Sequence, residues 1–371
     1  MTSFIPPKRI LMGPGPSNVH PRVLEAMARP TIGHLDPKFI QLMDEIKELL
    51  KYAFQTKNEV TFAVSGPGSV GMETCLVNLV EPGAKVLVCI NGVFGGRMKS
   101  IVERCGAEAV VVNMPWGRAI DPQLFEDTLN KNQGINVCSF VHAETSTGAK
   151  SDVKTLTEIA HQHNCIVIAD TVTSLVGIPL LIDEWNIDVS YSGSQKCLSC
   201  PPGLSPVSFN ERAVEFIKKR KSPVQSWFMD LNLILSYWSG NTKRAYHHTA
   251  PINSLYALHE SLLILKKEGI ENSWKRHKEN GEKLVSELAK IGLRPFVRMD
   301  ERMPQLTSIS IPAGIDEAKV RTSLLNDFNI EIGAGLGELS GKVWRIGLMG
   351  YSSNEENINA CVSAFKEILR K

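Results

Sequence analysis

Between Glu59 and Asn210, short apolar runs ("EVTFAVS", "KVLVCING", "AEAVVVNMPW", "INVCSFV", "CIVIAD", "IDVSYSGSQ", "LSPVSFN") alternate with stretches of helical period. That alternation predicts an α/β fold, with a mainly parallel sheet, helices on both faces and right-handed crossovers. Open sheets of this kind bind ligands outside the carboxyl ends of their strands. Chemistry is therefore expected in the residues that follow each apolar run.

Other segments complete the outline. "HPRVLEAMA" predicts a helix with Pro21 in its first turn, and apolar residues recur at helical spacing from Phe39 through Phe54, with "TIGHLDP" a loop between them. "GPGSVG" reads as a turn before the helix "METCLVNLV", and "VFGGRMKSIVERCG" as a loop leading into a helix. The aromatic "WFMDLNLILSYW" fits core or subunit interface. Beyond "YHHTAP" one long helical stretch is expected to leave the sheet and bridge, near residue 270, to a small α+β unit containing "TSISIP", "IEIGAGLG" and "VWRIGL". Single cores stop growing at ~250–300 residues, so the 371-residue chain divides into an ordered arm (1–16), a large domain (17–268) and a small C-terminal domain (269–371).

Two strand ends carry the chemistry. "CIVIAD" is a buried strand ending on Asp170, and "IDVSYSGSQ" delivers Lys196 into a turn rich in Gly, Ser and Pro. Alone, Lys196 could be a solvated loop lysine and Asp170 a helix N-cap. Together they suit pyridoxal 5'-phosphate (PLP). A lysine can hold the aldehyde as a Schiff base, and an acid can keep the pyridine nitrogen protonated.

"EVTFAVS", "GPGSVG" and the helix after them form an anion site: helix N-terminal N–H groups favour a phosphate, and glycines let it approach. Gly66, Gly68 and Gly71 also satisfy G-x-G-x-x-G, but the next strand ends in Asn91 where a dinucleotide site needs an acid. In "HQHNC", His161 and His163 do not share a helix face, so the pattern is poor for one metal ion. Cys197 and Cys200 form a C-x-x-C beside Lys196, read as incidental because Pro201 and Pro202 follow.

"YSGSQK", "ADTVTSLVG", "GPGPSN", "SGPGS", "YHHTAP" and "RIGLMG" together resemble the alanine–glyoxylate and serine–pyruvate aminotransferases, class-V PLP enzymes of fold type I, from about Leu11 to the C-terminus. The resemblance implies that Lys196 is the Schiff-base lysine and proton shuttle, that Asp170 partners the pyridine nitrogen, and that Val172 lies on the ring face. Ser65, Gly66, Pro67, Gly68, Ser69 and Gln195 would meet the phosphate. Tyr246 and Thr249 would reach it from the neighbouring subunit, making a homodimer with a composite active site. Phe94 stands where members carry a stacking Trp, and Thr145 where they carry a Ser near the cofactor phenolic oxygen. Pro67 departs from the pattern and removes an N–H donor. Arg345 would fork onto the substrate carboxylate. Gly15, Gly33 and His34 would line the same pocket.

The implied activity is ping-pong transfer of an amino group from a small L-amino acid, alanine or serine, to glyoxylate or pyruvate. Ureidoglycine or aspartate as donor, and a PLP lyase or cysteine desulfurase using Cys197 or Cys200, are the competing readings. A net charge of +2 with no long basic run gives no electrostatic case for nucleic acid or membrane. No apolar stretch is long enough to span a bilayer. Eight scattered cysteines fit reduced thiols in a cytosol.

Overall fold

The computed structural model describes residues 1–238 and 244–370. The elements follow in chain order: β1 (Ile10–Leu11), α1 (Pro21–Met27), α2 (Pro37–Phe54), β2 (Val60–Ser65), α3 (Gly68–Leu79), β3 (Lys85–Ile90), α4 (Val93–Arg104), β4 (Glu108–Asn113), α5 (Pro122–Lys131), β5 (Ile135–Val141), β6 (Ala143–Glu144), β7 (Ala149–Lys150), α6 (Val153–Gln162), β8 (Ile166–Asp170), β9 (Val189–Tyr191) and β10 (Leu204–Phe209). Then come α7 (Glu211–Lys218), α8 (Leu231–Trp238), α9 (Ile252–Glu268), α10 (Ile270–Ala289), β11 (Leu306–Ser310), α11 (Glu317–Asp327), β12 (Ile330–Glu331), β13 (Gly333–Ala334), β14 (Val343–Gly347) and α12 (Glu355–Ile368).

Seven strands form the main sheet in the order β2-β10-β9-β8-β5-β3-β4. From β9 to β4 every pair is parallel, as the alternation predicts, while β10 runs antiparallel to both β2 and β9. The tight loop from β9 back into β10 reverses the chain without a helix, and that reversal contains Lys196. β8 is buried at all five positions, as expected of a central strand covered on both faces. Helix starts are set locally: Asp36, Asp121, Asp152 and Asn210 each accept a backbone N–H as N-caps.

A second core gathers Leu284, Leu288, Ile309, Trp344, Ile346 and Phe365 around the antiparallel sheet β11-β14-β13. Met12 belongs to this core, and β1 pairs in parallel with β12, so the first strand is stitched to residues near 330.

Three expectations change. Helix α3 begins at Gly68 rather than after "GPGSVG": a Cβ at Gly71 would stand 3.0 Å from Ser205 Cβ and 3.2 Å from Tyr191 Cβ, so the glycine is inside the helix because the helix lies close on the sheet. Helix α4 begins at Val93, which puts Phe94 in its first turn. The long helical stretch breaks at Gly269 (φ 86°) into α9 and α10. Of the aromatic segment, Tyr237 and Trp238 are buried in the main core while Trp227 is exposed. His161 Nε2 sits 2.8 Å from Asp188 Oδ2. Among the described residues no helix is long and apolar enough to cross a membrane.

Candidate active site

Asp170 closes β8 and lies in register with Tyr191, the last residue of the parallel neighbour β9. Residues in register on adjacent strands project to the same face. The Tyr191 hydroxyl donates to Asp170 Oδ2 at 2.7 Å, and the Val172 N–H donates to Oδ1 at 2.9 Å. Asp170 is only 3 % exposed. Burial pushes its carboxyl up to about 6, and the two donors pull in the opposite direction. Burial, together with the Asp170 charge, pushes the Tyr191 phenol well above its ordinary value, which keeps it a donor.

Lys196 lies in the loop between β9 and β10. Its carbonyl accepts from Ser17 Oγ at 2.8 Å and from the Ser199 N–H at 3.0 Å, and Ser199 occupies the left-handed region (φ 53°). Its ammonium donates to the Pro14 carbonyl. Gly15 (φ 110°) must be glycine: a Cβ there would stand 2.6 Å from Lys196 Nζ. Burial lowers Lys196 to about 8; Cys197 and Asp170 oppose that fall and Arg345 adds to it.

The turn after β2 prepares an anion site. Gly68 starts α3 with a Cβ position 3.4 Å from Val172 Cγ2, and the first N–H groups of a helix have no partner inside it. Pro67 at the N-cap supplies no side-chain cap and no N–H. Gln195 Oε1 is buried without a hydrogen-bond partner beside this turn's neighbour Gly193. Because amide oxygen and nitrogen are assigned by network, Gln195 has an end free for an incoming group. Ser69 Oγ accepts from Arg97 Nη1 at 2.9 Å, and that guanidinium lies 5.0 Å over the Phe94 ring.

Arg345, in the middle of β14, donates from Nε to the Ala334 carbonyl at 2.7 Å and from Nη1 to the Thr145 carbonyl at 3.0 Å. Burial lowers it to about 10, opposed by the Glu144 charge. Among the described residues no acidic side chain forms an ion pair with it. A buried cation held only by carbonyls is costly unless an anion joins it. Glu144 itself is fully buried and accepts from Phe94 N, Ser146 N and Ser146 Oγ.

His34 and Tyr246 belong to a separate aromatic and histidine cluster. The His34 ring lies 5.3 Å from the Tyr246 ring, and its carbonyl accepts from Tyr237 at 2.9 Å. Tyr246 is 63 % exposed. His247 stacks 4.7 Å from exposed Trp227. His248 joins this cluster to the end of β2 through Ser65 Oγ at 2.7 Å, and burial with His247 beside it lowers the ring to about 4.

Sequence reasoning assigned no role to Tyr191, Glu144, Pro14 or Ser17. Tyr191 was legible in principle, since it ends the strand after the one ending in Asp170. The others depend on chain crossings with no local signal.

The class-V aminotransferase family matches residues 10–359. Alanine–glyoxylate aminotransferase of Rattus norvegicus is 41 % identical over 366 residues, 98 % of this chain and 88 % of that protein. (S)-Ureidoglycine–glyoxylate transaminase of Bacillus subtilis is 36 % identical over 383 residues, covering 98 % and 91 %. The crystal structure of alanine–glyoxylate aminotransferase from Nostoc sp. superposes with a TM-score of 0.97 at 44 % identity, covering 100 % of this chain and 97 % of that one.

Proposed function

The chain belongs to the class-V aminotransferases and is a PLP-dependent aminotransferase, and from that premise we propose that it moves the amino group of alanine or serine to glyoxylate or pyruvate. The observation that carries the reading is Arg345, a buried guanidinium that forms no ion pair among the described residues and lies near enough to Lys196 for its charge to lower that amine's basicity. It would take the α-carboxylate common to all these substrates.

The pocket fits the cofactor. Asp170 is buried yet held by two donors, Gln195 Oε1 is buried and unpartnered, and Gly15 clears the space at Lys196 Nζ. In this reading Lys196, Asp170, Val172, Phe94 and Thr145 hold the ring, and Ser65, Gly66, Pro67, Gly68, Ser69 and Gln195 surround the phosphate. When bound, PLP supplies an electron sink for the pair left as the substrate α-proton departs. Lys196 Nζ takes that proton, and its lowered basicity leaves a large neutral fraction near pH 8 for the task. Arg345, on the smaller C-terminal body (269–371), fixes the substrate so that its α-hydrogen points toward that amine.

The exposed Tyr246 and Thr249, with Gly33 and His34 beside them, complete the site of a second subunit in a homodimer. Eight free buried cysteines support a reducing, cytoplasmic location. A second reading, ureidoglycine as donor, is favoured by the likeness to the Bacillus subtilis enzyme. The desulfurase reading is disfavoured: burial pushes Cys197 and Cys200 up to about 12, so neither is a ready thiolate.

The test is the visible spectrum of the purified protein before and after L-alanine, and again after glyoxylate. Loss of the cofactor band with alanine and its return with glyoxylate support the substrate pair. A band that ignores alanine and serine but responds to ureidoglycine selects the second reading.

A further inference from the structure

Glu144 is a fully buried carboxylate that the proposed chemistry does not use. It sits on the short hairpin β6–β7, immediately before Thr145. One oxygen accepts from Phe94 N at 3.1 Å; the other accepts from Ser146 N at 3.0 Å and Ser146 Oγ at 2.5 Å. Ser146 Oγ in turn accepts from Val93 N at 2.9 Å, so its proton points at the carboxylate. Burial pushes the carboxyl above its ordinary value, and these donors pull the other way by favouring the charged form.

These contacts are the N-terminal cap of α4, supplied from about fifty residues away. Gly92, the local N-cap residue, has no side chain to offer, and a Cβ there would stand 2.5 Å from Glu144 Cδ. The cap fixes Phe94 in the first helical turn. The next residue after Glu144 is Thr145, whose carbonyl holds Arg345 Nη1 at 3.0 Å. One carboxylate thus stands between the aromatic platform and the carboxylate clamp.

We propose that Glu144 is a positioning residue that locks Phe94 and the Thr145–Arg345 contact into one frame, so that cofactor ring and substrate carboxylate are registered against each other. The proposal rests on the cofactor and substrate roles given above to Phe94 and Arg345.

Glu144→Gln keeps the shape but turns an amide N–H₂ toward N–H donors. The cofactor dissociation constant, read by tryptophan fluorescence as stripped protein is titrated with PLP, rises about tenfold or more. KM for the best of alanine, serine and ureidoglycine rises about tenfold, with kcat within about threefold. A protein that simply lost stability would melt lower without that split. Double variants with Phe94→Leu and Arg345→Lys should be less than additive in the dissociation constant and KM respectively. Values within twofold of the parent, in a protein with unchanged circular dichroism, overturn the role. If Phe94→Leu and Arg345→Lys singly leave both quantities unchanged, the site assignment fails first and the proposal with it. If they raise them and Glu144→Gln does not, only Glu144 fails. Should Glu144→Gln not fold, Ser146→Ala removes the relay to Val93 and must move both quantities the same way by a smaller factor; no movement overturns the proposal.

Discussion

The strand-end wall of the pocket and the histidine–tyrosine wall around residue 246 are built to different standards. Asp170 and Lys196 are 3 % and 8 % exposed and anchored by bonds within the chain. Tyr246 and Trp227 are 63 % and 64 % exposed, each with one face against a histidine ring, His34 and His247 respectively. In the proposed homodimer the second subunit would cover this open aromatic area. In the proposed reading a single chain finishes the wall that would handle protons and leaves open the wall that would enclose the ligand.

The sharpest way to break this contrast is at the finished wall. Lys196→Ala should lower kcat at least about 10⁴-fold and abolish the cofactor band that stays with the protein once added PLP is dialysed away after borohydride reduction; a retained band would mean that another amine holds the cofactor. At the unfinished wall, the double substitution Tyr246→Ala and Thr249→Ala should cost about 100-fold in activity. Refolded at equal ratio with Lys196→Ala, it should recover about a quarter of parental activity, because half the dimers are mixed and each has one intact site. No recovery in verified mixed dimers would put Tyr246 and Thr249 in their own chain's site.

Tyr191→Phe probes the support behind Asp170. With one donor gone the charged carboxylate is less favoured, so its pKa climbs from about 6 and the acid limb of the activity profile moves to higher pH. Cofactor affinity should fall about tenfold. An unmoved acid limb would assign that limb to a different group. Smallest of all, Pro67→Ser restores an N–H and a hydroxyl at the α3 N-cap, and slower cofactor loss on dialysis, by about two- to threefold, is expected.

The contrast also explains what could be read in advance. Asp170 and Lys196 follow strands whose apolar runs announce them, and burial on both faces enforces those strands. The start of α3 inside a glycine run and the helical setting of Phe94 escaped. Each is decided by a contact from afar: Tyr191 and Ser205 against Gly71, and Glu144 against Phe94 N. Local propensity holds no record of such partners. Roles for Arg345, Tyr246 and Thr249 came only through resemblance, since their surroundings come from other elements and, in the proposed dimer, another chain.

The pairing of β1 with β12 sets a timetable for synthesis. Arg9 bonds to Asn329 across 320 residues, and Ile10 lies in register with Ile330. At roughly 5–20 residues per second, the arm leaves the ribosome about 16 to 64 s before its partner exists. During that wait the main sheet can collapse with Pro14 not yet delivered to Lys196. The last stretch translated therefore closes the smaller core and seats the first, and an amino-terminal fusion would tax assembly of the Arg345 sheet more than of the sheet bearing Asp170.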